Sequence, residues 1–339
     1  MKLIPVDNAV GMVLGHDITE IVPGRFKGPA FKRGHVIRQE DVSRLRDLGK
    51  EHIAALDLAA GWLHEDDAAQ RLATAASGEG IALSAPSEGK VDLIASCNGL
   101  LKINVGRLNS INAVVDVMMA TLHTNQLVKR GRIVAGTRII PLTIKEEAIQ
   151  AAEAHCRPDD PVVSIRPVMP HLVGLITTGS EVYHKRIEDK FGPVIEKKVS
   201  SLGSRIVQQI YVPDDIGMTV DAIKALIGKG AQIVLITGGM SVDPDDLTPG
   251  SIRASGAEVI TYGAPVLPGA MFMLAYLEGV PIIGLPGCVM YHETSIFDLI
   301  VPRILAGERL TREDIISLGH GGMCIGCEDC RYPACAFGK

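Results

Sequence analysis

The chain has 339 residues, enough for two or three domains of about 150 residues each. Hydrophobic residues make up 47% and charged residues 22%, as in a globular protein, and a net charge of −5 gives no basic field for nucleic acid or an acidic membrane. The chain starts without a signal-peptide pattern, and no apolar run reaches the ~20 residues of a membrane span. We therefore expect a cytoplasmic protein with reduced thiols, binding neither nucleic acid nor membrane.

The first part of the chain mixes short strands and helices without a regular alternation. Helical periodicity predicts a helix over residues 39–48, and a strand follows at 52–58. We expect an N-terminal segment over residues 1–60 and a second, mixed α+β segment over 61–165. The R-P-D-D-P sequence at 157–161 is a plausible boundary before the next domain.

From there the pattern becomes regular, with near-continuous apolar strands alternating with helices. Such strands indicate a parallel sheet covered on both faces, so the sequence predicts an α/β domain over residues 166–310. The most apolar stretch, residues 271–290, reads as a buried helix end, a turn and a strand, and a helix is predicted from about 291 to 306. A cysteine-rich tail occupies residues 311–339. The predicted strands lie at residues 171–179, 204–212, 231–239 and 279–287.

Three of these strands end in glycine-bearing loops. Ligands of parallel sheets bind beyond the carboxyl ends of the strands, where glycine lets backbone amides approach an anion. Any one of the loops alone is as typical of a tight turn, whereas three at one sheet edge favour a phosphate or oxyanion site. Glu181 and Asp246 lie beside them, and carboxylates next to a phosphate suggest Mg²⁺, although Asp246 is also placed to cap a helix. The loops are T-T-G-S-E-V at 177–182, T-G-G-M-S-V-D-P-D-D-L-T-P at 237–249 and L-P-G-C-V-M at 285–290.

These loops carry a resemblance to a known family. Residues 171–306 resemble the molybdopterin-binding domain shared by molybdopterin adenylyltransferases and molybdopterin molybdenumtransferases, and residues 1–58 are more faintly similar to the start of a molybdenumtransferase. The resemblance implies a molybdopterin-binding parallel sheet with helices on both faces, and a homo-oligomer, either dimer or trimer. It rests on T-G-S-E at 178–181, G-G-M-S-V-D-P-D-D-L-T-P at 238–249, L-P-G-A at 267–270 and G-L-P-G at 284–287.

The chain also departs from the transferase pattern. Ala270 stands where the family has a lysine that contacts phosphate, and Cys288 stands where it has asparagine. A C-terminal β-barrel segment is replaced by the cysteine-rich tail. These differences favour binding of a pterin phosphate over standard molybdate insertion.

The resemblance implies roles for individual residues. Glu181 and Asp246 would be catalytic and would orient Mg²⁺ or molybdate, with Asp246 as the Mg²⁺ ligand. The implied function is a molybdenumtransferase-like step in molybdenum cofactor biosynthesis, acting on molybdopterin or adenylylated molybdopterin. The alternatives are a non-catalytic carrier or sensor that delivers the cofactor to a partner molybdoenzyme, and nucleotide chemistry of the pyrophosphatase kind. The implied ligand-binding residues are Thr178, Gly179, Ser180, Gly238, Gly239, Ser241, Pro268, Gly269, Pro286, Gly287 and Cys288.

Four cysteines near the carboxyl end, Cys324, Cys327, Cys330 and Cys335, are called here the tail cysteines. Their spacing is C-x2-C-x2-C-x4-C. Thiolates are soft ligands, and four close together suit a 4Fe–4S cluster or a structural zinc, the remaining alternative being free redox thiols in a mobile tail. Tyr332 and Phe337 are expected to shield such a centre from water.

Two further side chains have competing interpretations. The thiol of Cys288 follows Gly287 near a helix N-terminus, where a thiol pKa tends to fall, although a small buried apolar residue is the commoner role. Lys198 lies in a strongly charged stretch and is expected on a solvated face rather than at a phosphate.

Overall fold

The computed structural model describes residues 2–55 and 58–339, so positions 56 and 57 of the strand predicted at 52–58 lie outside the described residues. The chain divides into two compact units. The first comprises Met1–Cys97, Leu101–Thr124 and Val128–Ile165, and the second comprises Asn98–Leu100, Asn125–Leu127 and Arg166–Lys339. None of the helices in the described part of the chain is long and apolar enough to cross a membrane.

The amino-terminal part of the first unit is built from two antiparallel strand pairs and a short helix. Its core includes the fully buried Leu14, Ile18, Leu45 and Ile53. Strand β1 pairs with β4, and β2 pairs with β3. The elements are β1 (Lys2–Pro5), a 3-10 turn (Val6–Asn8), β2 (Ile18–Val22), β3 (Phe26–Phe31), α1 (Asp41–Asp47) and β4 (His52–Ala55).

The rest of the first unit centres on an antiparallel sheet in the order β6-β7-β11-β9. Helix α2 packs on this sheet through a buried face rich in alanine, which allows a close approach. The elements along residues 62–166, of which Gly99, Leu100, Leu127 and Arg166 belong to the second unit, are β5 (Trp62–His64), α2 (Glu65–Ala76), β6 (Ile81–Leu83), β7 (Lys90–Ala95), β8 (Gly99–Ile103), α3 (Val105–Asn112), β9 (Val117–Thr121), β10 (Leu127–Val128), β11 (Ile133–Ile139), β12 (Thr143–Lys145), α4 (Glu146–Glu153) and β13 (Val163–Arg166).

Glu65, the first residue of α2, is a buried carboxyl group with only 5% of its surface exposed. Burial, followed by the nearby Asp66 carboxylate, raises the pKa of Glu65 to about 7. The Arg138 guanidinium, 3.9 Å away, acts in the opposite direction but is too distant to cancel the effect. Between pH 4.5 and about 7 the folded chain therefore retains a proton that the unfolded chain has released.

We expect Glu65→Gln to stabilise the first unit at pH 8 by about 2 kcal/mol, because the glutamine never has to ionise in a buried position. The contribution of Glu65 to the free energy of unfolding falls as the pH rises from 4.5 to about 7. The advantage of the variant should thus grow from about pH 4.5 to pH 7 and then level off. Denaturant unfolding at several pH values measures it, with the exposed Glu147→Gln as the control. A pH-independent difference between Glu65→Gln and the native chain would contradict the prediction.

The second unit contains one six-stranded sheet in the order β15-β14-β16-β19-β18-β17. Its elements are β14 (Leu172–Thr178), α5 (Ser180–Tyr183), α6 (Phe191–Ser201), β15 (Arg205–Val212), α7 (Ile216–Gly228), β16 (Ile233–Thr237), α8 (Thr248–Ala254), β17 (Glu258–Tyr262), β18 (Met273–Leu277), β19 (Val280–Leu285), α9 (Cys288–Tyr291), α10 (Ile296–Leu305), α11 (Arg312–Ile316) and a 3-10 turn (Ser317–Gly319).

Helices cover both faces of this sheet, which confirms the predicted α/β fold. Within β16, Leu235 belongs to the core shared with α6 and α10, whereas Val234 and Ile236 belong to the core shared with α7 and α8. Successive side chains of a strand point to opposite faces, so a strand buried on both sides must be apolar throughout. Because of this requirement, the strands could be predicted from the sequence as near-continuous apolar runs.

The sheet is nevertheless mixed rather than wholly parallel. Strands β15, β14, β16 and β19 run parallel, but β18 is antiparallel to β19 and β17 is antiparallel to β18. The helix end expected within residues 271–290 was wrong, because Met273–Leu277 is strand β18. A two-residue turn, Glu278 and Gly279, joins β18 to β19 with φ values of 52° and 84°. Positive φ at both positions is typical of a tight hairpin turn.

The helix predicted from residue 291 to 306 begins later in the structure. Helix α10 starts at Ile296, and Ser295 and Asp298 form a reciprocal capping box at its N-terminus. Residues 292–295 are therefore an irregular segment between α9 and α10.

The tail packs against the second unit. The Leu267 N–H donates to the Gly322 carbonyl, and the Cys324 N–H donates to the Leu267 carbonyl, both at 2.8 Å. Near the carboxyl end, the Gly338 N–H donates to the Gly321 carbonyl at 2.9 Å. The tail is thus closed on itself and tied to the loop that precedes Pro268.

Candidate functional site

The candidate site lies where the strand order of the second unit reverses. From β14 the chain passes to β15 on one side of the sheet and then to β16 on the other. Loops that leave the carboxyl ends of β14 and β16 in opposite directions open a crevice at such a switch point, which is where ligands of open α/β sheets bind.

Two adjoining cavities occupy this crevice. The first, called here the acidic cavity, has a volume of about 970 Å³ and is lined by Thr178, Gly179 and Glu181. The second, called the proline-loop cavity, has a volume of about 520 Å³. Gly238, Gly239 and Asp246 line both of them, so the glycine-pair loop is their common wall. The other predicted residues, which line the proline-loop cavity, are Ser241, Pro268, Gly269, Pro286, Gly287 and Cys288.

The glycine pair is a steric requirement of the loop. Gly238 and Gly239 have φ values of 88° and 56°, in the region that favours glycine. A Cβ on Gly238 would overlap the Thr178 carbonyl, and one on Gly239 would lie 2.8 Å from the Thr248 hydroxyl. The Thr248 hydroxyl also donates to the Gly238 carbonyl at 2.9 Å. The Thr248 hydroxyl also lies 3.3 Å from the Thr178 hydroxyl, so Thr248 joins the loop after β16 to the end of β14. The sequence alone did not indicate this role of Thr248.

Ser180 is the one predicted ligand-binding residue that lines neither cavity. Its backbone N–H and its hydroxyl both donate to Oδ2 of Asp214 at 2.9 Å. Asp214 follows β15 and lines the acidic cavity. Ser180 thus holds a carboxylate at the edge of the site.

The acidic cavity is strongly negative, and four of its carboxylates lie in the loops predicted from the sequence whereas the others do not. Among the described residues, seven carboxylates line it, and Lys190 is the one basic side chain that does so. A phosphate entering this space meets repulsion unless a cation neutralises part of the charge. The carboxylates outside the predicted loops come from the segment before α6 and from the end of β15, which no motif connects to the loops. The seven are Glu181, Glu188, Asp189, Asp214, Asp243, Asp245 and Asp246.

The structure holds the predicted catalytic pair at one cavity, since both Glu181 and Asp246 line the acidic cavity. In the described part of the chain, no group of three or more His, Cys, Asp or Glu side chains is close enough to hold a metal ion. Mg²⁺ is usually bound through one or two carboxylates, with substrate phosphates and water completing its shell. The donor set here fits an ion of that kind, shared with a phosphate ligand.

Of the two interpretations of Cys288, a thiol whose pKa is lowered by the helix N-terminus is not supported. Burial is the largest influence and raises the pKa of this thiol, and the backbone amides of Cys288 and Val289 offset it only in part. Helix α9 has four residues, so few aligned peptide groups act on the sulfur. Cys288 therefore remains a protonated thiol near neutral pH.

Lys198 does not lie on a solvated face. Its ammonium group contacts Asp298 at 2.9 Å and donates to the Glu293 carbonyl at 2.6 Å, and its side chain is 13% exposed. It does not line either cavity of the crevice. Its role is structural, because it fastens the segment between α9 and α10 to α6.

All four tail cysteines line a third space of about 300 Å³, called here the cysteine cavity. The Thr294 hydroxyl lies 3.1 Å from Sγ of Cys330. Tyr332 also lines this cavity, and burial raises the pKa of Tyr332, with the nearby Asp298 and two tail cysteines adding to the effect. The protonated Tyr332 hydroxyl donates to the Asp298 carbonyl at 3.3 Å.

The second unit is thus an α/β domain, covered by helices on both faces of its sheet and carrying glycine-bearing loops at the switch point. Residues 174–306 match the family model described as "Probable molybdopterin binding domain". The resemblance carried by the glycine loops is thereby confirmed. Residues 3–57 match a separate model, "Domain of unknown function (DUF8806)".

Curated relatives match short parts of the chain. A molybdenum cofactor biosynthesis bifunctional protein from Synechococcus elongatus is 32% identical over 83 residues, covering 24% of this chain and 26% of the relative. A molybdopterin molybdenumtransferase from Staphylococcus aureus is 30% identical over 122 residues, covering 34% and 29%. A molybdopterin adenylyltransferase from Pyrococcus furiosus is 33% identical over 90 residues, covering 26% and 53%. The chain thus spans between a quarter and about half of the length of these relatives.

Solved structures match about two fifths of the chain. The molybdopterin biosynthesis enzyme MoaB from Thermus thermophilus matches with a TM-score of 0.33 and 16% identity, over 41% of this chain and 98% of that one. The tungsten cofactor synthesizing protein MoaB from Pyrococcus furiosus matches with a TM-score of 0.35 and 23% identity, over 42% and 98%.

Proposed function

We propose that the switch-point crevice binds molybdopterin or adenylylated molybdopterin and that the protein carries out a molybdenumtransferase-like step with molybdate. The observation that supports this most is the glycine-pair loop, which forms the wall common to the acidic cavity and the proline-loop cavity. An extended ligand such as a pterin joined to a nucleotide needs two adjoining subsites, and backbone amides at the junction suit its phosphates.

Glu181 and Asp246 are the proposed catalytic side chains. Both line the acidic cavity, where either carboxylate can orient Mg²⁺ or the oxyanion substrate. Bound Mg²⁺ would neutralise phosphate charge among the seven carboxylates of the lining. Catalysis by this chain is then mainly positioning of the reactants and stabilisation of charge.

The binding proposal is tested by titrating the full chain with molybdopterin, adenylylated molybdopterin and the plain nucleotides AMP and GTP, each with MgCl₂. Calorimetry or fluorescence should show tighter binding of the pterin ligands. Equal and weak affinity for all four compounds would rule the proposal out.

Asp246→Asn should weaken binding of molybdopterin in the presence of Mg²⁺ by about 10-fold to 100-fold, since a charged contact contributes roughly 1.5–3 kcal/mol. The fold should persist, because among the described residues the Asp246 carboxylate accepts a hydrogen bond only from the exposed Asp243 N–H, at 3.3 Å. The exposed Asp221→Asn, on α7 and outside the cavity linings, is the matched control. Unchanged affinity in Asp246→Asn would remove Asp246 from the site.

A non-catalytic carrier or sensor is the second candidate, and two positions favour it. Ala270 and Cys288 both line the proline-loop cavity, so neither the lysine nor the asparagine of the transferase pattern is available there. Incubation with adenylylated molybdopterin and molybdate decides between the two functions. AMP release with molybdenum incorporation identifies a transferase, whereas stable binding without either identifies a carrier that supplies a molybdoenzyme.

We further propose that the protein works in the cytoplasm as a homo-oligomer, either dimer or trimer, and that the tail cysteines hold a metal centre, a 4Fe–4S cluster or zinc. The compartment matches the thiol chemistry, because reduced cysteines remain available as ligands there. Light scattering of the full chain tests the oligomeric state, and a monomer would contradict it.

A further inference from the structure

The tail presents its cysteines to one common space. All four tail cysteines line the cysteine cavity of about 300 Å³. The tail is held at one end by the 2.8 Å hydrogen bond from the Cys324 N–H to the Leu267 carbonyl, and at the other by the bond between Gly338 and Gly321. A loop that is fixed at both ends and lined by four soft ligands has the organisation of a metal-centre site.

The arrangement fits a polynuclear cluster better than a single zinc ion. Zinc binds sulfur at about 2.3 Å in a tetrahedron, which puts all four sulfurs within roughly 4 Å of one another. In the described part of the chain, no group of three or more His, Cys, Asp or Glu side chains is arranged to hold a single metal ion, although all four tail cysteines line the cavity. A cluster places iron and sulfide atoms between the cysteine sulfurs, so its ligands surround a space instead of meeting at a point.

The surroundings of the cavity also suit a cluster. The Thr294 hydroxyl lies 3.1 Å from Sγ of Cys330, close enough to donate a hydrogen bond to a ligating sulfur. Tyr332 and Phe337 line the cavity and form an edge-on pair with ring centroids 6.3 Å apart, and Phe337 is 4% exposed. Hydrogen bonds to sulfur and exclusion of water are two of the levers that set a cluster's reduction potential. Cys327 and Cys330 are exposed, so the site remains open to incoming iron and sulfide.

We propose that the tail cysteines bind a 4Fe–4S cluster in the cysteine cavity, and that this cluster adjoins the crevice assigned to the pterin ligand. Tyr291, 79% exposed, lines both the cysteine cavity and the acidic cavity. From Tyr291 the chain continues through residues 292–294, which line the cysteine cavity. On the other side, Leu267 joins the tail to Pro268 and Gly269 of the proline-loop cavity. The position of the cluster beside the crevice rests on the proposed pterin site, whereas the binding of the cluster does not.

The cluster is tested on the full chain, purified without oxygen and reconstituted with ferrous iron and sulfide. We expect brown protein with about four irons and four sulfides per chain, and an electron paramagnetic resonance signal after reduction. Cys330→Ser, at an exposed position, should lose most of the iron while its circular dichroism matches that of the native chain. Cys97→Ser, in the first unit, is the control and should keep the full iron content.

Two results would overturn the cluster. One is colourless protein that takes up a single zinc ion per chain and no iron. The other is metal-free protein after reconstitution, with all four tail cysteines alkylated as fast as in the unfolded chain. Thr294→Val should retain the iron but shift the reduction potential, and an unshifted potential would remove Thr294 from the cluster's surroundings.

The proposed position of the cluster beside the crevice is tested by adding molybdopterin to cluster-loaded protein. We expect the ligand to alter the resonance signal of the reduced cluster in the native chain, whereas AMP, added as the control, should leave it unaltered. If the iron content is normal and calorimetry shows the ligand bound, but the resonance signal is unaltered, the cluster does not adjoin the crevice. That result would leave the cluster itself in place. Normal iron content without any pterin binding would count against the proposed function and leave the cluster in place.

Discussion

Gly238→Ala is expected to abolish binding of molybdopterin to the full chain. At a φ of 88° an alanine is strained, and its Cβ would overlap the Thr178 carbonyl, which is backbone and has no alternative rotamer. The loops after β14 and β16 must then separate, and the common wall of the two cavities is lost. We expect an affinity loss of at least 100-fold and a fall of about 2 kcal/mol in the free energy of unfolding.

Gly250→Ala is the matched control for this experiment. Gly250 lies within α8, and a Cβ there would meet only the Ile216 side chain, at an ordinary contact distance of 3.9 Å. Alanine is also the better helix former, so this variant should bind like the native chain and be slightly more stable. Titration and denaturant unfolding measure both effects. Native-like binding by Gly238→Ala would show that the ligand does not use the glycine-pair loop.

Arg303→Ala should destabilise the second unit by about 3–5 kcal/mol, the range for breaking a buried ion pair. The Arg303 side chain is 7% exposed on α10. Its Nε lies 2.9 Å from Glu308 Oε2, and its Nη2 lies 2.6 Å from Asp314 Oδ1. Truncation removes the closest charged contact of the 9% exposed Glu308, whose contact with the guanidinium of Arg166 is longer, at 3.9 Å. The turn after α10 and the start of α11 both depend on this arginine.

The loss in the free energy of unfolding is measured by denaturant unfolding of the full chain, monitored by circular dichroism. Lys229→Ala is the control, because Lys229 is exposed and contacts Gln208 at the surface. Its expected cost is below about 1 kcal/mol. A loss of similar size in both variants would mean that the buried network contributes little. A larger loss of unfolding free energy in Arg303→Ala than in Lys229→Ala, with the unfolding transition of the first unit unchanged, would support a stabilising role for the buried network.

The sequence determined the parallel part of the sheet and the glycine loops. Strands such as β16 are apolar at every position except the last, Thr237, because both faces are covered, and this pattern depends on no other part of the chain. The loop that contains Gly238 and Gly239 could also be predicted, because its backbone conformation is one that residues other than glycine rarely adopt. The four tail cysteines were likewise conspicuous through their spacing, whatever centre they bind.

Tertiary structure alone decided the features that depend on distant partners. Residues 273–277 are a strand because they pair with β19 and β17, whereas a short apolar run by itself has no periodicity that separates strand from helix end. Asp189 and Asp214 reach the acidic cavity through the order of the strands, which no local motif records. Burial overrides the helix terminus at Cys288, and the contact with Asp298 removes Lys198 from solvent. In each case the free energy comes from groups far apart in the chain, so only the folded arrangement specifies the outcome.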